Sequence, residues 1–167
     1  MLWCVAFRPS VCGPAWLWVP TLLLGCTALG LGAAHRALRR LDRAAALPLG
    51  LDLGVRWPLA LHLGWITAAA LVNLNNWLAR RGSSVALKEA AAIGSVAAAV
   101  AAAAYVFQTT GDAVVGFVSF WALSAVVADG GKAAQGVVDA AVLGRVKATA
   151  VGGAALALLG LLAKIGR

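Results

Sequence analysis

Acidic residues are scarce in this sequence: Asp and Glu together number six among 167 residues, and there are two histidines. Acid–base and nucleophilic catalysis need such side chains at set spacings. The sequence contains no paired carboxylates, no Ser/His/Asp set and no glycine-rich phosphate loop arranged for chemistry. The composition therefore predicts that the protein is not an enzyme.

Cysteine is also rare, and the three cysteines are Cys4, Cys12 and Cys26. They form no CxxC pair and no Cys/His spacing of the kind that binds zinc, which argues against a structural metal centre. A disulfide between Cys4 and Cys12 stays open as an alternative to free thiols. Cys26 lies in an apolar run, where a free thiol behaves as a small hydrophobic side chain.

Charge is limited as well. Charged residues make up 12% of the chain and apolar residues 62%, whereas soluble domains average about 25% charged and 45–50% apolar. The charges cluster between apolar runs, which is typical of a polytopic membrane protein. The net charge of +8 fits contact with anionic lipid headgroups, because the positive residues flank those runs. We therefore expect lipids and no nucleic acid among the partners.

Apolar runs of near-spanning length predict an all-α fold, a polytopic transmembrane helical bundle of about five spans that forms one integral membrane domain over residues 1–167. The predicted spans are about 15–34, 58–78, 87–108, 113–128 and 148–163. A basic stretch beginning at His35 is predicted to end the first span, with a loop over residues 41–56. The amphipathic stretch 133–147 is predicted to lie at the membrane interface or to lengthen a neighbouring helix. The positive residues are balanced between the two sides, so no orientation is predicted.

The second span carries a sparse stripe of four residues at four-residue steps, namely Trp65, Ala69, Asn73 and Trp77. In a helix of 3.6 residues per turn, such steps remain on one slowly drifting face. Two indoles, a small residue and a carboxamide on that face predict a groove for a flat ligand or for another helix. Asn73 has the alternative of hydrogen bonding between helices, as polar side chains in membrane spans commonly do.

Two further residues are candidates for ligand contact. His62 could bind a haem iron or the magnesium of a chlorophyll, or it could pack against a neighbouring helix. Trp121 lies away from the predicted ends of its span, and with Phe117 and Phe120 it forms an aromatic patch that we expect to pack against the second span. The candidate cofactor-binding residues are His62, Trp65, Asn73, Trp77 and Trp121, with chlorophyll, another tetrapyrrole or lipid as ligand. Neither catalytic residues nor a protein metal site are predicted.

The second span also resembles a known helix. Its residues fall at the offsets of the element W-x-T-F-A-x-x-L-N-x-x-x-W, with Trp65, Thr67, Ala69, Asn73 and Trp77 as the matching positions. This element is similar to a signature helix of the tryptophan-rich sensory protein / translocator protein family. Ala68 and His62 stand where that family has aromatic residues.

Other residues extend the resemblance. Pro58 and Gly64-Trp65 resemble the longer bacterial and algal branch of that family, and Trp121-Ala122-Leu123 matches a Trp-Ala-Leu element in one of its later helices. The resemblance covers about residues 57–128. It implies a helical bundle with a groove that binds flat hydrophobic ligands such as tetrapyrroles or sterols.

Two functional hypotheses follow. In the first, this small Ala/Gly-rich chain is a non-enzymatic accessory or structural subunit of a larger organellar membrane complex, photosynthetic ahead of respiratory, in contact with other membrane subunits, lipids and pigments. Its location would be the thylakoid, with the mitochondrial inner membrane or a bacterial membrane as alternatives. In the second, implied by the resemblance, the protein is a free-standing tetrapyrrole- or sterol-binding or transport protein. The second hypothesis predicts an enclosed pocket lined by Trp65, Asn73 and Trp121.

Overall fold

A computed structural model of the protein describes residues 16–44, 48–129 and 139–165, and throughout these ranges the chain is helical apart from short turns. The five long helices are α1 (Trp18–Ala44), α2 (Trp57–Arg80), α3 (Val85–Thr110), α4 (Val114–Asp129) and α5 (Ala140–Ile165). A helical turn at Leu49–Leu51 and a π-helical turn at Asp52–Arg56 lead directly into α2. The prediction of an all-α bundle of about five helices is confirmed.

Four helical segments are long and apolar enough to cross a membrane, and they are Trp18–Asp42, Leu49–Arg80, Val85–Thr110 and Ala140–Ala163. The fifth, α4, is equally apolar but has 16 residues, or about 24 Å of helix against a hydrocarbon core of about 30 Å. The chain is therefore an integral membrane protein with four full-length candidate spans and one short apolar helix.

Two helices extend beyond the predicted spans, α1 at its C-terminal end and α5 at its N-terminal end. The helix α1 continues ten residues beyond the predicted end at residue 34, because its basic segment pairs with other parts of the bundle and does not leave it. Arg39 donates from Nε to the carbonyl oxygen of Thr110 at 2.6 Å. The predicted loop is correspondingly short, since residues 49–56 are helical.

The helix α5 begins at Ala140, eight residues before the predicted start of the last span. Asp139 caps this earlier start by accepting a hydrogen bond at Oδ1 from the Val142 amide at 2.8 Å. Arg145, in the added segment, donates to Glu89 of α3, with 2.8 Å between Nη2 and Oε2. The alternative that the amphipathic stretch lengthens a neighbouring helix is confirmed for residues 140–147. Residues 133–138 lie outside the described ranges, as do Cys4 and Cys12.

The bundle is organised around α2, which packs against α1 on one side and against α3 and α4 on the other, while α5 covers α3 and α4. One buried apolar cluster joins α2, α3 and α4 and consists of Ala60, Leu63, Ala103 and Val115. A second joins α3, α4 and α5 and consists of Val96, Leu123, Ala150 and Ala154. Alanine and valine dominate both clusters, so the helices approach closely, as small residues allow in membrane bundles.

The closest helix approaches occur at two glycines. A Cβ atom added to Gly64 of α2 would lie 2.8 Å from Cβ of Val118 on α4, and one added to Gly153 of α5 would lie 2.7 Å from Cγ1 of Val96 on α3. Both distances are far inside van der Waals contact. By contrast, Gly94 of α3 has open space around it.

The turn between α3 and α4 is formed by a glycine in the left-handed conformation and an aspartate that caps the next helix. Gly111 ends α3 with φ of 69°, and its amide donates to the carbonyl oxygen of Phe107 at 2.7 Å. Asp112 then caps α4 through Oδ1, which accepts from the Val114 amide at 2.9 Å. Asp112 is 2% exposed, so its other carboxylate oxygen, Oδ2, is available to groups inside the bundle.

The Gly64→Ala substitution is expected to destabilise the bundle by about 1–3 kcal/mol, because the stiff Val118 Cβ cannot move aside without a shift of α2 or α4. Unfolding by SDS in mixed micelles measures this difference. Gly94→Ala is the matched control and is expected to be neutral or slightly stabilising, since it adds helix propensity in open space. Equal stability of the two variants would contradict the close approach.

Candidate ligand-binding cleft

A cleft of about 610 Å³ lies between the C-terminal halves of α2 and α4 and the first turns of α5. Its lining residues are Trp65, Ala68, Ala69, Val72, Asn73, Trp121, Ala122, Ala125, Val126, Asp129, Leu143, Val146 and Lys147. The helical repeat explains the two main walls, because positions three and four apart on α2 and on α4 share a face. The volume is within the range of about 300–1,000 Å³ that is usual for small-molecule sites.

Two tryptophans meet at this cleft. The ring centroids of Trp65 on α2 and Trp121 on α4 are 5.4 Å apart, with 39° between the ring planes. The rings are 51% and 50% exposed, respectively, so the cleft is open on its outer side where an enclosed pocket was predicted. The expected packing of the aromatic part of α4 against α2 is confirmed at this pair.

The rest of the lining is small and apolar, with few polar groups. Asn73 is 7% exposed, and its Nδ2 donates to the carbonyl oxygen of Ala69 in the same helix at 2.8 Å. Asn73 lies in the wall of the cleft, and this bond is within α2 and not between helices. The neighbouring Asn75 does bond between helices, since its Nδ2 donates to Ser95 Oγ of α3 at 2.8 Å. Asp129, the last residue of α4, and Lys147 of α5 are the two charged residues of the lining, and both are exposed.

Two of the five candidate residues lie elsewhere. Trp77 is outside the cleft lining, and the guanidinium carbon of Arg81 lies 5.3 Å from its ring centroid, a cation–π arrangement that suits a helix end at the membrane surface. His62 is exposed on α2 and is also outside the lining. The structure thus brings together Trp65, Asn73 and Trp121, and a ligand-binding role for any of the five stays a prediction.

The sequence did not indicate the third wall of the cleft. Leu143, Val146 and Lys147 line it from α5, in the segment where no membrane helix was predicted. Apolar residues that face a cleft and apolar residues that face lipid have the same chemistry, so hydropathy alone could not separate them. The one available signal was the amphipathic character of residues 133–147.

The lining of the cleft is mostly aromatic and aliphatic and carries few functional groups. It offers two indole faces, alanine and valine surfaces, one carboxamide and two charged groups at the rim. None of the lining residues is a serine, cysteine or histidine. Within residues 16–44, 48–129 and 139–165, no group of three or more His, Cys, Asp or Glu side chains is placed to hold a metal ion.

The chain was compared with known proteins and protein families. No curated protein and no solved structure matches the chain. The family model for the TSPO-like protein matches residues 1–163, so the likeness is much wider than the predicted range of 57–128 and includes α1 and α5. Through this match, which extends over nearly the whole chain, the protein belongs to the TSPO-like protein family.

Proposed function

We propose that the protein binds a flat, hydrophobic ligand of the tetrapyrrole or sterol class in the cleft between α2, α4 and α5. The observation that carries this proposal is the meeting of Trp65 and Trp121 at the cleft, with ring centroids 5.4 Å apart. Indole faces bind planar ring systems through dispersion and quadrupole interactions. Membership of the TSPO-like family supports the same ligand classes.

The shape of the cleft supports a planar ligand. Along α2 and α4 beyond the indoles, the lining consists largely of alanines, including Ala68, Ala69, Ala122 and Ala125, which leave a smooth surface and room for a wide ring. Ala68 stands where the family element described above has phenylalanine, and the smaller side chain widens the cleft at that point. The open outer side gives a ligand dissolved in the bilayer a direct path to the indoles.

The rim favours a tetrapyrrole with acidic side chains ahead of a sterol. Of the two charged lining residues, Asp129 and Lys147, Lys147 is exposed, and its flexible stem can place the ammonium group over a carboxylate. The neutral hydroxyl of a sterol would gain less from that charge. Since no histidine is among the lining residues, the cleft itself supplies no imidazole to a central metal, and we propose a metal-free tetrapyrrole ahead of chlorophyll.

A second candidate function is the accessory-subunit hypothesis, with its organellar, thylakoid-first location. The observation in its favour is an outward surface of small residues on α3, formed by Gly94, Ala97, Ala98 and Ala101, all of them exposed. Such surfaces allow the helices of another membrane protein to approach closely. In that case pigments or other subunits would cover this face of the bundle.

Replacing Trp65 or Trp121 with leucine is expected to weaken binding of protoporphyrin by about fivefold or more, because loss of an aromatic partner costs about 1 kcal/mol. Quenching of tryptophan fluorescence and the shift of the porphyrin absorption band give the Kd in detergent or nanodiscs. Trp57→Leu is the matched control, since Trp57 is 46% exposed on the same helix and lies outside the cleft. Equal affinity of all three variants and the unsubstituted protein would contradict the site.

The Lys147→Gln substitution is expected to weaken protoporphyrin binding about two- to fivefold, which is the scale of one partly exposed ion pair, and to leave cholesterol binding unchanged. The effect should diminish at high salt, because exposed charges are screened. Lys88→Gln, on the neighbouring helix α3, is the control. A loss of cholesterol affinity as large as the loss of protoporphyrin affinity would contradict charge recognition at the rim.

The two functions differ in the size and colour of the native particle. Extraction in mild detergent, followed by native mass analysis with absorption spectra, is expected to yield a small, colourless species that gains a red-shifted band on addition of protoporphyrin. Co-migration with a large pigmented or redox complex would favour the subunit hypothesis. A small species that binds no porphyrin would contradict both functions.

A further inference from the structure

A polar cluster lies at the N-terminal end of α2, away from the cleft. It joins α1, the π-helical turn before α2, and the turn between α3 and α4. Its members are His35, Arg39, Asp42, Asp52, Arg56, Thr110 and Asp112. No part of it lines the cleft, so it lies outside the proposed ligand site.

The two arginines of this cluster are firmly held. Arg56 donates from Nη1 to Asp112 Oδ2 at 2.6 Å and from Nη2 to Asp52 Oδ2 at 2.7 Å. Arg39 donates from Nη1 to Asp42 Oδ2 at 2.5 Å, in addition to its bond to the Thr110 carbonyl. Charge-assisted hydrogen bonds of this kind are the strong ones, and they connect α1, the start of α2 and the α3–α4 turn.

His35 is the exception within the cluster. It is 1% exposed, and neither Nδ1 nor Nε2 has a hydrogen-bond partner among the described residues. The nearest acidic atom is Asp112 Oδ2, 3.6 Å from Nε2, which is beyond hydrogen-bond length. Burying polar nitrogens without hydrogen-bond partners is costly. The imidazole would therefore gain hydrogen bonds, and could gain a proton, if it became exposed to water.

The charges that face His35 come from every element around it. Its own helix contributes Arg39, the turn before α2 contributes Arg56, and the α3–α4 turn contributes Asp112. Asp42 and Asp52 are the partners of the two arginines. Both oxygens of Asp112 are already bonded, Oδ2 to Arg56 and Oδ1 to the Val114 amide. An imidazolium would therefore have to compete with Arg56 for Asp112 while facing two guanidinium groups in a buried site, so the packed state favours a neutral imidazole.

We propose that His35 is an acid-sensing site that controls the docking of α1. With the imidazole neutral, α1 stays packed against α2 and the α3–α4 turn. When α1 lifts, His35 becomes exposed and binds a proton below about pH 6.5, as ordinary histidines do. The released state then holds one proton more than the docked state, so docking of α1 weakens as the pH falls, by up to about tenfold per pH unit.

The experiment is hydrogen–deuterium exchange of the full chain in nanodiscs between pH 7.5 and 5.5, a range above the ordinary titration of carboxylates. Exchange in peptides from the C-terminal half of α1 is divided by exchange in peptides from α3 of the same sample, which removes the intrinsic effect of pH. The ratio is expected to rise severalfold as the pH falls. A ratio that stays constant in the unsubstituted protein would overturn the proposal.

The two histidines of the chain supply matched variants. His35→Leu is expected to abolish the rise in the ratio, whereas His62→Leu, which alters an exposed histidine on α2, is expected to retain it. Should His35→Leu fail to fold, His35→Gln serves as the non-titrating replacement. Persistence of the rise in a folded His35 variant, or its loss in His62→Leu, would overturn the assignment to His35. None of these outcomes depends on binding of a ligand in the cleft.

Discussion

The close approach of α2 to α4 at Gly64 is the constraint on which the cleft depends. A Cβ at this position would overlap Val118, so the two helices can touch only because the glycine has no side chain. Trp65 follows Gly64 directly, and Trp121 lies three residues after Val118, so the contact brings the two indoles together one turn further along. The lining of the cleft begins at this pair of indoles and continues along α2 to Asn73 and along α4 to Asp129.

The two ends of α2 differ in the side chains that surround them, which are charged at the start and apolar at the other end. At the start of α2, charged side chains from three elements pair with one another and leave a single buried imidazole without a hydrogen bond. At the other end, alanines and indoles line an open apolar surface with charges confined to its rim. A polar cluster fixes helix positions by directional bonds, whereas an apolar cleft accepts ligands by shape and contact.

Much of the fold followed from the sequence, since long apolar runs predict helices directly. The prediction from the sequence was wrong where a charged residue can either end a membrane span or bind inside the bundle. The arginines after His35 suggested the end of the span, but Arg39 bonds into the bundle. Of the stripe on α2, Trp65, Ala69 and Asn73 line the cleft, and Trp77 does not. Each four-residue step rotates by about 40°, so Trp77 is turned about 120° from Trp65. The contribution of α5 to the cleft was not predictable, because hydropathy does not distinguish a cleft from lipid.

An open cleft in a bilayer limits what holds a ligand there. Lipid tails are as apolar as the alanines and valines of the lining, so transfer of a ring from lipid to the cleft gains little from the hydrophobic effect. Selectivity must then come from the indole faces, the carboxamide of Asn73 and the charges at the rim, each worth about 1 kcal/mol or less. A site held by a few such contacts, with one side unobstructed, releases its ligand readily. For the ligand-binding function that we propose, this property favours exchange of the ligand with the membrane over permanent retention.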